Sequence, residues 1–305
     1  MSGAARPLPP GASGGLAGIA LVVAACACFS VLDTTVKFVS AAVPLLMALW
    51  FRYAFQAVAT TLVVLPLRGV KVLRTRHVLF QCLRGVLLLA SSLFAFASLK
   101  HMPVGEFTAI VMISPLVLTL LAATVLKEKV SVLRWMLVVG GFAGTVVIIR
   151  PGSEAFHWAS LLPLGLVASN AWFQVLTSKL ARTEDPLTMQ LYSGWVGTVF
   201  SSLALPFVWV PLGASWLWLP LGLMGVTATI GHFVLILAYQ RAGAATLTPY
   251  LYLQIGFAML GGWLVFQHVP DRIAMVGIAM IAVCGACGAW LTVRERRLLL
   301  EPASP

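Results

Sequence analysis

A chain of 305 residues, 60% hydrophobic and only 10% charged, with a mean hydropathy of +0.99, lies outside the range of soluble domains, which are roughly 45 to 50% apolar and about 25% charged. The formal net charge of +11 does not indicate nucleic acid, because Lys and Arg sit in short breaks between apolar runs and form no single patch. Five cysteines lie within apolar runs with no His or acid at metal-ligand spacing, so Cys284-x-x-Cys287 reads as a small-residue patch on a helix and no cofactor is expected.

Residues 1–14, rich in Gly, Ala, Pro and Ser, read as a disordered cytoplasmic tail, and Leu16 to Val31 reads as the start of the first span because it continues into Asp33 and Lys37 without a convincing cleavage site. In chain order, the apolar runs predict spans at 15–38, 43–67, 78–99, 103–126, 132–149, 157–179, 187–209, 216–239, 244–266 and 272–293. These runs are too long and too uniformly apolar for barrel strands, so the fold class is all-α integral membrane. With the amino terminus inside, fourteen Lys and Arg fall on the cytoplasmic side against four on the other, which places both termini in the cytoplasm.

Internal similarity runs through the chain at a shift of about 141 residues. Thr35-Val36-Lys37 matches Thr177-Ser178-Lys179, Pro44-Leu45 and Met47 match Pro186-Leu187 and Met189, Lys100 matches Arg241, and Gly144 matches Gly285. Two five-helix units, 15–150 and 157–293, followed by a cytoplasmic tail at 294–305, are therefore expected. Because five is odd, they insert with opposite orientations about a central cavity, an arrangement suited to exposing one site to each side in turn.

An ionised side chain at the centre of a span costs about 2.5 to 3.5 kcal/mol on insertion scales, so such residues face the protein interior or a wet cavity. Arg84 in the third span is a candidate for substrate contact, with pairing to a carboxylate or snorkelling as alternatives. Glu106 is a candidate for a proton or a substrate ammonium, or a partner for Arg84 or Lys100. Asp33 and Lys37, spaced i, i+4, are expected to form an ion pair, and Arg52 a structural or coupling pair. Asn170, Trp172, Tyr252 and Gln254 are the neutral candidates for lining the cavity, and Trp209, Trp216 and Trp218 read as interfacial.

The sequence resembles the drug/metabolite transporter superfamily in its two-repeat EamA branch. The resemblance rests on Leu83-Arg84-Gly85, on Leu99-Lys100-His101-Met102-Pro103 leading into Glu106, on Ser114-Pro115, Lys127-Glu128-Lys129 and Arg150-Pro151-Gly152, and on Pro249-Tyr250-Leu251-Tyr252-Leu253-Gln254. One departure is that Gln267-His268 replaces the Gly-Glu usual after the fourth helix of the second copy. The resemblance implies a ten-helix basket in the inner membrane that moves amino acids, vitamins or nucleotide-like metabolites. No enzymatic constellation and no phosphate-cradling loop is encoded, so gradient-driven transport is expected. Export is the favoured direction, with uptake of a metabolite like S-adenosylmethionine or riboflavin as the alternative. The expected partners are a small-molecule substrate and the bilayer, with no nucleic acid; a homodimer stays open.

Overall fold

The computed structural model describes residues 12–114, 116, 117, 131–154, 156–180, 184–241, 247 and 250–300. Among them are ten α-helices and no strand: α1 (Ala12–Val39), α2 (Leu45–Arg68), α3 (Val78–His101), α4 (Val104–Val111), α5 (Val132–Ile149), α6 (Leu162–Leu180), α7 (Pro186–Val208), α8 (Trp218–Arg241), α9 (Leu253–Phe266) and α10 (Arg272–Leu300). Seven segments are long and apolar enough to cross a membrane, on α1, α2, α3, α6, α7, α8 and α10, and the parts Trp135–Ile149 of α5 and Leu253–Phe266 of α9 are shorter apolar helices. The fourth expected span, 103–126, is described as the short α4 and the few residues after it. Pro115, Lys127, Glu128, Lys129 and Pro249 lie outside the described residues. The first helix begins at Ala12, inside the expected tail, and the last continues to Leu300, where Arg294-Glu295-Arg296-Arg297 are good helix formers that carry it on past its apolar part.

The helix ends follow local chemistry. At the end of α2, Gly69 takes φ +67, a region that costs a residue with Cβ energy, and donates its N–H to the Leu65 carbonyl. At the start of α7, the Asp185 carboxylate accepts from the Leu187 N–H at 2.8 Å, with Pro186 supplying a preset φ at the first turn. After α9, Gln267 adopts φ +53 and turns the chain back over the end of that helix, so His268 donates its backbone N–H to the Gly262 carbonyl at 3.2 Å.

Helix α1 packs against α8 and α9, α2 against α7 and α8, α3 against α6 and α7, α4 against α6 and α9, and α5 against α10. One end of the bundle carries the α1–α2, α3–α4, α5–α6, α7–α8 and α9–α10 connections. There Phe38 meets Trp216 edge-on at 5.8 Å, Lys37 reaches the carbonyls of Leu99 and Met102, and Arg150 pairs with Asp271. The opposite end carries the α2–α3 connection, bound to the start of α7 by Thr188 donating to the Val72 carbonyl at 2.8 Å and Tyr192 to that of Leu73 at 3.0 Å.

The surface is apolar and much of the polar inventory is inside. Leu62, Leu67, Leu79, Leu203, Phe207 and Leu219 face outward, whereas Arg52, Gln56, Gln81, Arg84 and Glu106 are buried. That distribution inverts a soluble core and matches a bundle whose solvent is hydrocarbon. Without a hydrophobic force between helices in lipid, close approach at small residues holds them. Gly144 on α5 and Gly277 on α10 face each other so closely that a Cβ on either would lie within 2.9 Å of the other's carbonyl oxygen.

Candidate functional site

The charged residues inside the bundle form a column rather than scattered pairs. Lys37 is four residues past Asp33 on α1, about 6 Å along the axis, and Arg52 enters from α2 at a similar depth. Arg84 lies six residues into α3 from the opposite end, about 9 Å deep.

At the centre, Asp33 is within Coulombic reach of Arg52 and faces the side-chain amide of Gln254 on α9. Arg52 is 3% exposed. Its guanidinium donates to Ser92 Oγ at 2.6 Å and lies over the Tyr53 ring at 4.6 Å, while the Tyr53 hydroxyl shares a 2.8 Å hydrogen bond with the same Ser92. His232 on α8 meets Phe29 edge-on at 5.0 Å and lies within the fields of both Arg52 and Arg84. Asp33 and His232 are deep among the helices yet keep part of their surface open, as residues on the wall of an internal space do.

Deeper towards the α2–α3 end, Arg84 is 4% exposed and donates to the Met189 carbonyl and, at 2.8 Å, to Ser193 Oγ, both on α7. Its guanidinium lies 5.2 Å from the centre of the Phe173 ring. No carboxylate pairs with it among the described residues, and its Nε has no hydrogen-bond partner. Gln56 and Gln81 are fully buried with both amide atoms unpartnered.

At the other end of the column, Glu106 on α4 and His268 after α9 share a hydrogen bond of 3.0 Å, and Glu106 is within Coulombic reach of Lys37. Lys37 donates to the Leu99 and Met102 carbonyls at 3.1 and 2.8 Å, capping the end of α3, and lies 5.5 Å from the centre of the Phe266 ring.

Several expectations change. The Asp33–Lys37 ion pair is not formed: Lys37 turns to the unsatisfied carbonyls at the end of α3, and Asp33 turns inward to Arg52 and Gln254. Glu106 pairs with His268 rather than with Arg84 or Lys100. Trp172 is 49% exposed and continues the outward stripe of Leu161 and Ala168, so it does not line the column; its neighbour Phe173 takes that place. Tyr252 is buried but packs into the gap that Gly285 leaves on α10. Asn170 is half-buried, with no hydrogen bond to the column among the described residues. Arg52, Arg84, Asp33 and Gln254 converge on the interior. Phe173, Ser92 and Ser193 were not anticipated, although for Phe173 the helical phase shared with buried Leu166 was a readable signal.

Residues 16–150 match the model of the EamA-like transporter family. The riboflavin transporter of Vibrio cholerae is 32% identical over 229 residues, spanning 74% of this chain and 76% of the relative. The S-adenosylmethionine uptake transporter of Rickettsia bellii is 26% identical over 235 residues, spanning 76% and 79%. A solved crystal structure superposes with a TM-score of 0.63 at 19% identity over 92% of this chain and 98% of the other, a likeness of fold. An apolar-surfaced helical bundle with a charged interior and these relatives belongs to the EamA-type branch of the drug/metabolite transporter superfamily, and the chain is a multi-pass membrane transporter of a small metabolite.

Proposed function

We propose that the protein is a gradient-driven transporter that takes up a planar, polar, flavin-like metabolite across the inner membrane by alternating access. The observation that carries this reading is the column itself, in which Asp33 and His232 stay partly open inside an otherwise apolar bundle, flanked by Arg52, Arg84 and Gln254. Its chemistry suits a flat ring with carbonyl and imine acceptors and a polyhydroxyl arm. Guanidinium groups and amides supply donors, Phe29 and Phe173 supply apolar faces, and Asp33 is an acceptor for hydroxyls. The interior basic residues Lys37, Arg52 and Arg84 outnumber the acids Asp33 and Glu106 by one, which disfavours a net-cationic sulfonium compound. The Vibrio relative is named for riboflavin, which supports the flavin-like substrate, and the Rickettsia relative is named for uptake, which supports this direction.

The proposed machine is two inverted five-helix units, 15–150 and 157–293, with both termini in the cytoplasm. The packing pattern supports it: replacing each helix n by n+5 converts α1 on α8 into α6 on α3, α2 on α8 into α7 on α3, and α1 on α9 into α6 on α4. The pairs α2 with α7, α4 with α9 and α5 with α10 map onto themselves.

The test is uptake of labelled riboflavin by proteoliposomes against protein-free vesicles, with excess unlabelled S-adenosylmethionine as competitor. Saturable riboflavin entry, insensitive to the competitor, is expected. Flux no greater than that of empty vesicles, in either direction, would remove the flavin reading.

A further inference from the structure

We propose that Asp33 and His232, with the Phe29 ring beside them, form the subsite that holds the substrate's hydroxyl-bearing arm. The inference rests on the transport reading above and assigns one part of the substrate to one part of the column.

The open space inside the bundle lies on this side. Phe29, Asp33 and His232 keep accessible surface, whereas Gln56, Gln81, Arg52 and Arg84 are closed off by their neighbours. Phe29 and Asp33 are four residues apart on α1, so their side chains emerge on the same helical face, about 6 Å apart along the axis. His232 reaches that face from α8 and meets the Phe29 ring edge-on at 5.0 Å. Gly231 lets α8 come this close, since a Cβ there would lie 2.9 Å from the Phe29 ring. A carboxylate and an imidazole thus stand roughly one helical turn apart along the wall of one internal space.

Both groups have hydrogen-bonding capacity to spare. A carboxylate has about four lone-pair positions. Asp33 accepts from the Gln254 amide and touches no cation among the described residues. The His232 ring makes no hydrogen bond to a described residue, and a neutral imidazole offers a donor on one nitrogen and an acceptor on the other. Arg52 lies within Coulombic reach of Asp33 and offsets its charge, so the carboxylate calls for neutral donors rather than an ammonium group. A hydroxyl is donor and acceptor at once and satisfies either group. One hydroxyl cannot span a helical turn. A chain with a hydroxyl on successive carbons can, and its carbon skeleton lies against Phe29. The ligand chemistry is a short linear polyol, as in the arm of riboflavin.

The test pairs riboflavin uptake by wild-type proteoliposomes with equilibrium binding of riboflavin and lumiflavin, followed by flavin fluorescence, to purified wild type, Asp33→Asn and His232→Phe. Lumiflavin keeps the ring system and carries a methyl group in place of the arm. Wild type is expected to bind lumiflavin at least about tenfold more weakly than riboflavin, the scale of one or two lost hydrogen bonds. In each variant the Kd for riboflavin is expected to rise about fivefold to tenfold towards that for lumiflavin, while the Kd for lumiflavin keeps its wild-type value. A merely structural role for Asp33 or His232 would weaken both flavins alike. Melting temperatures in detergent within a few degrees of wild type show that the variants fold. Riboflavin uptake by wild type with equal affinity for the two flavins overturns this subsite alone. Unchanged discrimination, or equal weakening of both flavins, in the folded variants does the same. If Asp33→Asn does not fold, His232→Phe decides by the same comparison. Absence of riboflavin uptake and binding in wild type overturns the flavin reading and the subsite with it.

Discussion

Glu106 and His268 stand 162 positions apart and are joined by a 3.0 Å hydrogen bond across the α1–α2 end of the bundle. The bond ties the start of α4 to the α9–α10 turn. That turn is aimed by Gln267, whose left-handed backbone places the next side chain back over the helix end. Gln267-His268 departs from the family's Gly-Glu, so in this chain a carboxylate on α4 meets an imidazole where the family pattern has an acid. Replacing His268 with Leu is expected to lower stability by about 1 kcal/mol, since the pair is partly exposed and most of its gain is an exchange with water. A double-mutant cycle with Glu106→Gln, read by thermal unfolding in detergent, should return a coupling of that order; additive losses would show that the bond contributes nothing.

Asp33→Asn removes the negative charge facing Arg52 and leaves a buried guanidinium balanced only by Ser92 and the Tyr53 face. The expected cost lies below the roughly 3 to 5 kcal/mol of breaking a contacting buried pair, because the two groups are not in direct contact. Substrate flux should fall at least tenfold. Denaturant unfolding of Asp33→Asn, Arg52→Gln and the double variant checks the pairing, with the double variant expected to be more stable than the sum of the singles predicts.

Gly277→Val drives a side chain against the Gly144 carbonyl, an atom of the backbone that cannot move aside. A loss of about 1 to 3 kcal/mol is expected, whereas Gly222→Ala, with nothing within 4 Å of the added Cβ, should be nearly neutral. Melting temperatures of the two variants measured together give the comparison.

The Arg150–Asp271 pair gives the connections at the α1–α2 end a pH dependence. The Arg150 hydrogen bond, followed by the Ala274 backbone N–H, holds the Asp271 carboxyl below its ordinary value. A depressed folded-state value means that the contribution is fully present above the ordinary carboxylate range and is lost as pH falls through the lowered value. Melting temperature followed from pH 7 down to acid should therefore decline less steeply in Asp271→Asn than in wild type; parallel curves would discount the pair.

Trp172→Ala and Phe173→Ala separate the two faces of α6. Trp172 is half exposed on the outside, so its removal should leave the KM for substrate unchanged, whereas removal of Phe173 from beneath Arg84 should raise it several-fold. Transport kinetics of the two variants in the same vesicles decide it.

Much of the fold was legible because hydrocarbon imposes one strict rule: every backbone polar group must bond internally, so long apolar runs become helices. The boundaries of α3, α5 and α7 lie close to those read from composition, and Arg52 and Arg84 were marked as interior because a charge in mid-span has nowhere else to go. Partner choice was not legible. The i, i+4 spacing of Asp33 and Lys37 suggested a pair, but a lysine near a helix end meets unsatisfied carbonyls of a neighbouring helix, and an aspartate one turn deeper meets an arginine from another. Local spacing proposes the nearest partner, whereas a packed bundle offers better ones from far along the chain.

Sequence alone determined that this chain lives in lipid, that its polar residues turn inward, and that it belongs among transporters, because these follow from composition, periodicity and family pattern. Only tertiary structure decided that His268 answers Glu106, that Phe173 rather than Trp172 underlies Arg84, and that Arg84 is left without an acid. Each depends on the rotation of one helix against another, and a difference of about 100° per residue around a helix turns a lining residue into one that faces lipid.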